Sequence, residues 1–269
     1  MHPSIARPAS PAERPPTIVE DALRYDGASA VVLLALLPLI CWMWIVLMAR
    51  DMYGPMTGAS AWMMTADWDA RHLLLLWAMW TVMMAGMMLP SASPLVLLYG
   101  AMARRSAQET AGRQIYALAL GYLVVWAGFS LVATALQRGL ATLMLVSPMM
   151  EVTSSRLSAA LLLLAGTYQL TPIKHACLRT CQSPLGFLMT RWRTGASGAF
   201  RLGLGHGAHC VGCCWALMLL LFAGGVMNLT VIAALTVFVA VEKFVPLGLH
   251  GARISGVLLM VAGLWMAVR

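Results

Sequence analysis

The chain has 269 residues, 61% of them hydrophobic and only 10% charged. So few charges cannot cover the surface of a soluble domain of this length, so lipid must solvate most of it. The net charge of +8 is dispersed among the segments between apolar runs. That pattern reads as membrane topology rather than a nucleic-acid face, and no RNA- or DNA-binding motif accompanies it.

In chain order, residues 1–27 are Pro-rich and polar and read as a disordered cytoplasmic tail. The first apolar run, 28–48, is too long for a signal-peptide core and lacks a small-residue cleavage site, so it reads as a retained span. Six further spans are predicted at roughly 72–102, 115–137, 157–172, 203–223, 227–246 and 252–268. The expected fold is therefore all-α, a polytopic integral membrane helix bundle of about seven transmembrane helices, with 28–269 as a single domain. The second span contains Pro90 and Pro94 and should break near Leu89-Pro90. The fourth and seventh are short for a crossing of ~20 residues. The fourth is expected to continue past Pro172 toward Cys181 as a kinked or re-entrant helix. Residues 173–202 follow, with Arg191 and Arg193 among Phe187, Leu188, Met189 and Trp192. This stretch suits either an ordinary solvated loop or the cytoplasmic face of the bilayer, its basic residues toward headgroups.

With the N-terminus inside, 13 Lys and Arg fall on the cytoplasmic side and 5 on the other. The asymmetry favours a cytoplasmic N-terminus and an outer C-terminus.

Of the six cysteines, Cys41 stands alone in the first span and reads as a packing residue. Cys177, Cys181, Cys210, Cys213 and Cys214 share a short window near the cytoplasmic side. Thiols there stay reduced, which favours metal or redox chemistry over structural disulfides. In GLGHGAHCVGCCW, taking His206 as zero and ~100° per residue, Cys210 falls at about 40°, Cys213 at about −20°, Cys214 at about 80° and His209 at about −60°. All five would share one helix face, while the surrounding glycines admit another helix closely. Cys177 and Cys181 lie one turn apart, and His175 faces away from them. A Cys-x3-Cys turn against that His/Cys face supplies enough soft ligands for Cu(I) or Zn(II), with His209 an optional member.

Methionine is abundant, with 21 residues. Met79, Met83 and Met87 repeat every fourth position, and Met84 and Met88 form a second such pair. Thioethers pack flexibly, and they also bind Cu(I) weakly. Beside the thiol cluster, Met83 and Met87 tilt the metal toward copper. Met52, Met56, Met63, Met64 and His72 would form a methionine-rich outer mouth to that path. Glu242 is expected to be structural or to balance a bound cation or orient a ligand histidine, whereas Lys243 is expected to reach the headgroups.

The segments MMAGMMLPS, YQLTPIKHACLRTCQSP, GHGAHCVGCCW and EKFVP resemble a family of bacterial integral membrane proteins described as metal-binding and of unknown function, some labelled copper chaperones. The resemblance spans about residues 72–250. It implies that Met84, Met87, Met88, Pro90, Tyr168, Gln169, Pro172, Lys174, Cys177, Cys181, His206, Cys210, Cys213, Cys214, Trp215, Glu242 and Lys243 match the family pattern. Gln182 departs from it, standing where a basic residue is usual. The resemblance also implies a bacterial inner (plasma) membrane.

The leading expectation is a membrane protein that binds Cu(I), with zinc as the alternative, for transport, insertion or delivery. Its partners would be the bilayer, the metal ion, and a membrane complex or metallochaperone. Cys177, Cys181, Cys210, Cys213 and Cys214 would act as thiolates, His206 as a nitrogen ligand, and Lys174 and Glu242 would support them. An enzyme is the less favoured class. Its form would be a thiol–disulfide oxidoreductase using the Cys210–Cys213 CxxC. A third reading is a non-catalytic subunit of a membrane metalloenzyme complex.

Overall fold

A computed structural model describes residues 30, 32–54, 68–106, 110–147, 150–245 and 248–268. The tail 1–27 and Met56, Met63 and Met64 lie outside the described residues.

The described chain is an all-α bundle. A π-helical turn, Val32–Leu36, leads into α1 (Leu37–Met52). Then follow α2 (Ala70–Met88), a 3-10 turn at Pro90–Ala92, α3 (Ser93–Ser106) and α4 (Ala111–Thr142). Next come α5 (Ser155–Gln169), α6 (Pro172–Gln182), α7 (Pro184–Arg191), α8 (Gly195–Met218) and α9 (Leu220–Gly224). The chain closes with α10 (Leu229–Phe244) and α11 (Gly248–Val268).

Among the described residues five stretches are long and apolar enough to cross a bilayer: Leu33–Met52, Ala70–Met88, Ala111–Thr142, Gly195–Gly224 and His250–Val268. The protein is therefore integral to a membrane. The other two expected spans correspond to α5 and α10, of 15 and 16 residues, which fall short of the ~20 needed for a full crossing. By this measure the described residues contain five candidate spans, and the seven expected are not confirmed. Large apolar side chains such as Leu39, Met43 and Leu47 on α1 and Leu258, Val261 and Leu264 on α11 point outward, as lipid requires.

Local chemistry sets the breaks. Pro90 cannot donate to a continuing helix, so α2 stops at Met88 and restarts through one 3-10 turn. Pro172 occupies the first turn of α6, where no donor is missed, and the Thr171 side chain accepts from the Lys174 amide. Asp69 caps α2 at the His72 amide, 2.7 Å away. Asn228 caps α10 through the Thr230 and Val231 amides.

The long helix α4 is the spine of the bundle. Trp77 and Trp80 of α2 donate to it through the Ala127 carbonyl and the Gln137 side chain. On another face α8 lies against it nearly backbone to backbone. A Cβ on Gly203 would enter the Leu118 carbonyl, one on Gly121 would enter that of Phe200, and one on Gly207 would press Val125. The i, i+4 glycine pair of α8 thus lets two spans touch without intervening side chains. Gly203→Val should separate α4 from α8 and cost about 1–3 kcal/mol by unfolding in detergent. Gly128→Ala, where a methyl meets open space, should be neutral or slightly stabilising.

Candidate metal centre

The close approach of α8 to α4 and α6 determines what surrounds the cysteines. His206, Cys210, Cys213 and Cys214 all fall on the buried side of α8, as the helical spacing predicts, and His209 is half-buried at its edge. Helix α6 brings the second pair. Cys177 packs on Gly212, where a Cβ would lie 2.8 Å from its sulfur. The Tyr168 hydroxyl donates to the Gly212 carbonyl, and its ring meets Trp215 edge-on.

Cys210 is the focus. Cys181, Cys213 and Cys214 are its thiol neighbours and interact with it electrostatically, as Cys181 does with Cys213. Cys177 stands further out, interacting electrostatically with Cys213. The sulfurs of Cys213 and Cys214 also donate to the Cys210 carbonyl at 3.1 and 2.8 Å. From α4, the Tyr122 hydroxyl lies 2.9 Å from the Met88 carbonyl, to which it donates, and 3.1 Å from the Cys210 sulfur. From α10, the Lys243 ammonium donates to the Cys210 sulfur at 2.9 Å and to the Ser91 hydroxyl at 2.8 Å. Lys243 is 7% exposed, so the expectation that it reaches the headgroups is corrected. Of these two acceptors, only the sulfur can carry a negative charge.

Glu242 turns to a different neighbour. It takes two hydrogen bonds from the fully buried Lys174, at 2.7 and 3.0 Å. Gln169 donates both to Glu242 and to Ser255 at 3.1 Å, and Gln182 donates to the Glu242 carbonyl at 2.8 Å. Glu242 therefore anchors α5 and α6 to α10 directly, and α11 through Gln169. Gln182, the departure from the family pattern, has a structural task here.

His206 is 3% exposed, and its Nδ1 has no hydrogen-bond partner. Its ring packs between Tyr122 and Phe187. His209 Nδ1 is instead engaged with the Gly205 carbonyl at 2.7 Å. The electrostatic neighbours of His175 are Lys174, Arg253, Arg179 and Glu242, away from the thiols. Met79, Met83, Met84, Met87 and Met88 are all buried in the core, as are Met52 and His72. Cys41 packs against Gly86.

All six cysteines are free. Among the described residues no group of three or more His, Cys, Asp or Glu side chains is arranged to hold a metal ion. Cys213 and Cys214 direct their thiols to the Cys210 carbonyl, so the sulfurs gather as neighbours and not in a closed coordination shell. Tyr122, Ser91 and the inward Lys243 escaped sequence reasoning, which had no means of pairing residues from three distant segments.

The buried ion pair gives a direct stability test. Glu242→Leu leaves Lys174 charged and unpaired and should cost about 3–5 kcal/mol, whereas Lys174→Met with Glu242→Leu should recover most of it. Thermal unfolding of both variants in the same detergent measures the difference.

No curated protein and no solved structure matches the chain. The PpoB2 family model, described as copper chaperone, matches residues 77–266. The match runs from within α2 into α11 and includes every residue around Cys210. On that coverage the chain belongs to the PpoB2 family of copper-chaperone-like proteins.

Proposed function

We propose that this protein holds Cu(I) as cargo within the membrane and passes it on, in transport, insertion or delivery to a partner. The observation that carries the reading is the convergence of Cys181, Cys213 and Cys214 on Cys210 beside Lys243. The buried, unpartnered Nδ1 of His206 lies on the same helix face. Soft thiolates and an imidazole nitrogen suit Cu(I), with Zn(II) the alternative. The fit follows from the donor set, which contains no carboxylate. Cys177 and His209 stand at its margin.

Each thiol that takes the metal gives up its proton, and Cys213 and Cys214 also give up their hydrogen bonds to the Cys210 carbonyl. Lys243 offsets the negative charge that accumulates as thiols become thiolates in a low-dielectric site. Tyr122 and Ser91 keep Cys210 and Lys243 in register by tying both to the turn after Met88. Met83 and Met87 would offer weaker thioether positions along α2, from which the ion can leave. The N-terminus is assigned to the cytoplasm and the protein to a bacterial inner membrane by charge asymmetry and resemblance.

A second reading has one observation in its favour. A lysine ammonium on a cysteine sulfur is also the environment of an exchange-active thiol, which keeps the oxidoreductase in view.

Copper content of anaerobically purified protein separates the two. Stoichiometric copper, lost in Cys210→Ser with Cys213→Ser, is the expected result. Retention against a pH-independent chelator should fall as pH falls, because protons compete for the thiolates. Met83→Leu with Met87→Leu should keep the copper but slow its transfer in proteoliposomes. Metal-free protein with a reversible Cys210–Cys213 disulfide would establish the second reading instead.

A further inference from the structure

Between Glu151 and Glu242 the chain contains no Asp or Glu. Four of the basic residues in that stretch, Arg179, Arg191, Arg193 and Arg201, meet around α7. One cleft of about 460 Å³ is lined by Arg191, Arg193 and Arg201 together with Thr190, Trp192 and Phe187. A neighbouring cleft of about 290 Å³ shares Phe187, Thr190 and Arg191 and adds Arg179, Thr180 and Ser183. Among the described residues no carboxylate lines either one.

Several features suit these clefts to an anion. The Arg191 guanidinium lies 5.4 Å from the centre of the Phe187 ring, which restrains it at the wall shared by both clefts. Phe187 is itself buried against His206 and His209. Planar guanidinium forks match phosphate oxygens two at a time, and hydroxyls of Thr190 and Ser183 border the same space. The apolar side chains of Ile173, Leu185 and Met189 project outward from α6 and α7, at 64%, 52% and 72% exposure. Cationic cleft and apolar projections together fit a membrane–water boundary, where phosphate lies beside acyl chains.

We propose that this cleft binds a phosphate-bearing anion at the membrane surface, with Arg191, Arg193 and Arg201 as its principal ligands and Arg179 extending the site. The occupant in a bilayer is the headgroup of an anionic phospholipid. This inference stands independently of the metal reading.

The full chain in nanodiscs of mixed phosphatidylglycerol and phosphatidylcholine provides the test, with tightly retained lipids quantified by mass spectrometry. Wild-type protein should enrich phosphatidylglycerol over the bulk mixture. Arg191→Gln, Arg193→Gln and Arg201→Gln together should lower that enrichment about tenfold, whereas the triple Lys replacement should fall between the two, keeping the charge but losing the paired guanidinium contacts. Wild-type protein in lipid-free detergent, with inorganic phosphate and with chloride at matched ionic strength, supplies a thermal-shift arm that needs no variant. Lipid enrichment without a phosphate-specific shift assigns the site to headgroups. A phosphate-specific shift without lipid enrichment upholds the phosphate chemistry with a soluble ion as its source. Equal lipid retention in wild type and the glutamine triple, with no phosphate-specific shift, overturns the proposal.

Discussion

Consecutive residues on a helix point about 100° apart, so Glu242 and Lys243 address different neighbours although both are buried at the end of α10. In a low-dielectric interior each charge must find a partner or be neutralised. Glu242 meets Lys174, and through Gln169 and Ser255 that pair fastens α5, α6 and α11 around α10. Lys243 meets the Cys210 sulfur and the Ser91 hydroxyl, which draws α8 and the turn after α2 to the same point. Two adjacent charges therefore connect the scaffold that positions α6 to the cysteines that α6 and α8 share.

Close helix contact makes that arrangement reachable. Without glycine at 203 and 207, α8 would stand away from α4, and the Tyr122 hydroxyl would not reach Cys210. Without glycine at 212, α6 would be displaced at Cys177. The cost of a loose bundle here is structural and chemical together, since the same approach packs the core and gathers the thiols.

Much of this was legible in the sequence because it is periodic. The 3.6-residue repeat placed His206, Cys210, Cys213 and Cys214 on one face of α8, and prolines marked the breaks at Leu89-Pro90 and Thr171-Pro172. The number of full spans was less legible. Apolar runs at 157–172 and 227–246 look like crossings, yet their helices are 15 and 16 residues long and owe part of their apolar character to burial against other helices. The direction of Lys243 was misread because a lysine near a span end ordinarily snorkels. Only the tertiary fold reveals a thiol and a hydroxyl within reach on the inner side. Tyr122 and Ser91 carry no local pattern at all, and their part depends on contacts across 88 and 152 residues of chain.

We propose the sulfurs gathered around Cys210 as a soft-metal site. X-ray absorption at the copper edge, on full-length protein loaded anaerobically with one equivalent of Cu(I), tests it most directly. Such a site should hold copper as Cu(I) in a shell dominated by sulfur, with that sulfur signal lost in Cys210→Ser with Cys213→Ser. A shell of nitrogen and oxygen scatterers alone, or a spectrum unchanged in that variant, would contradict it.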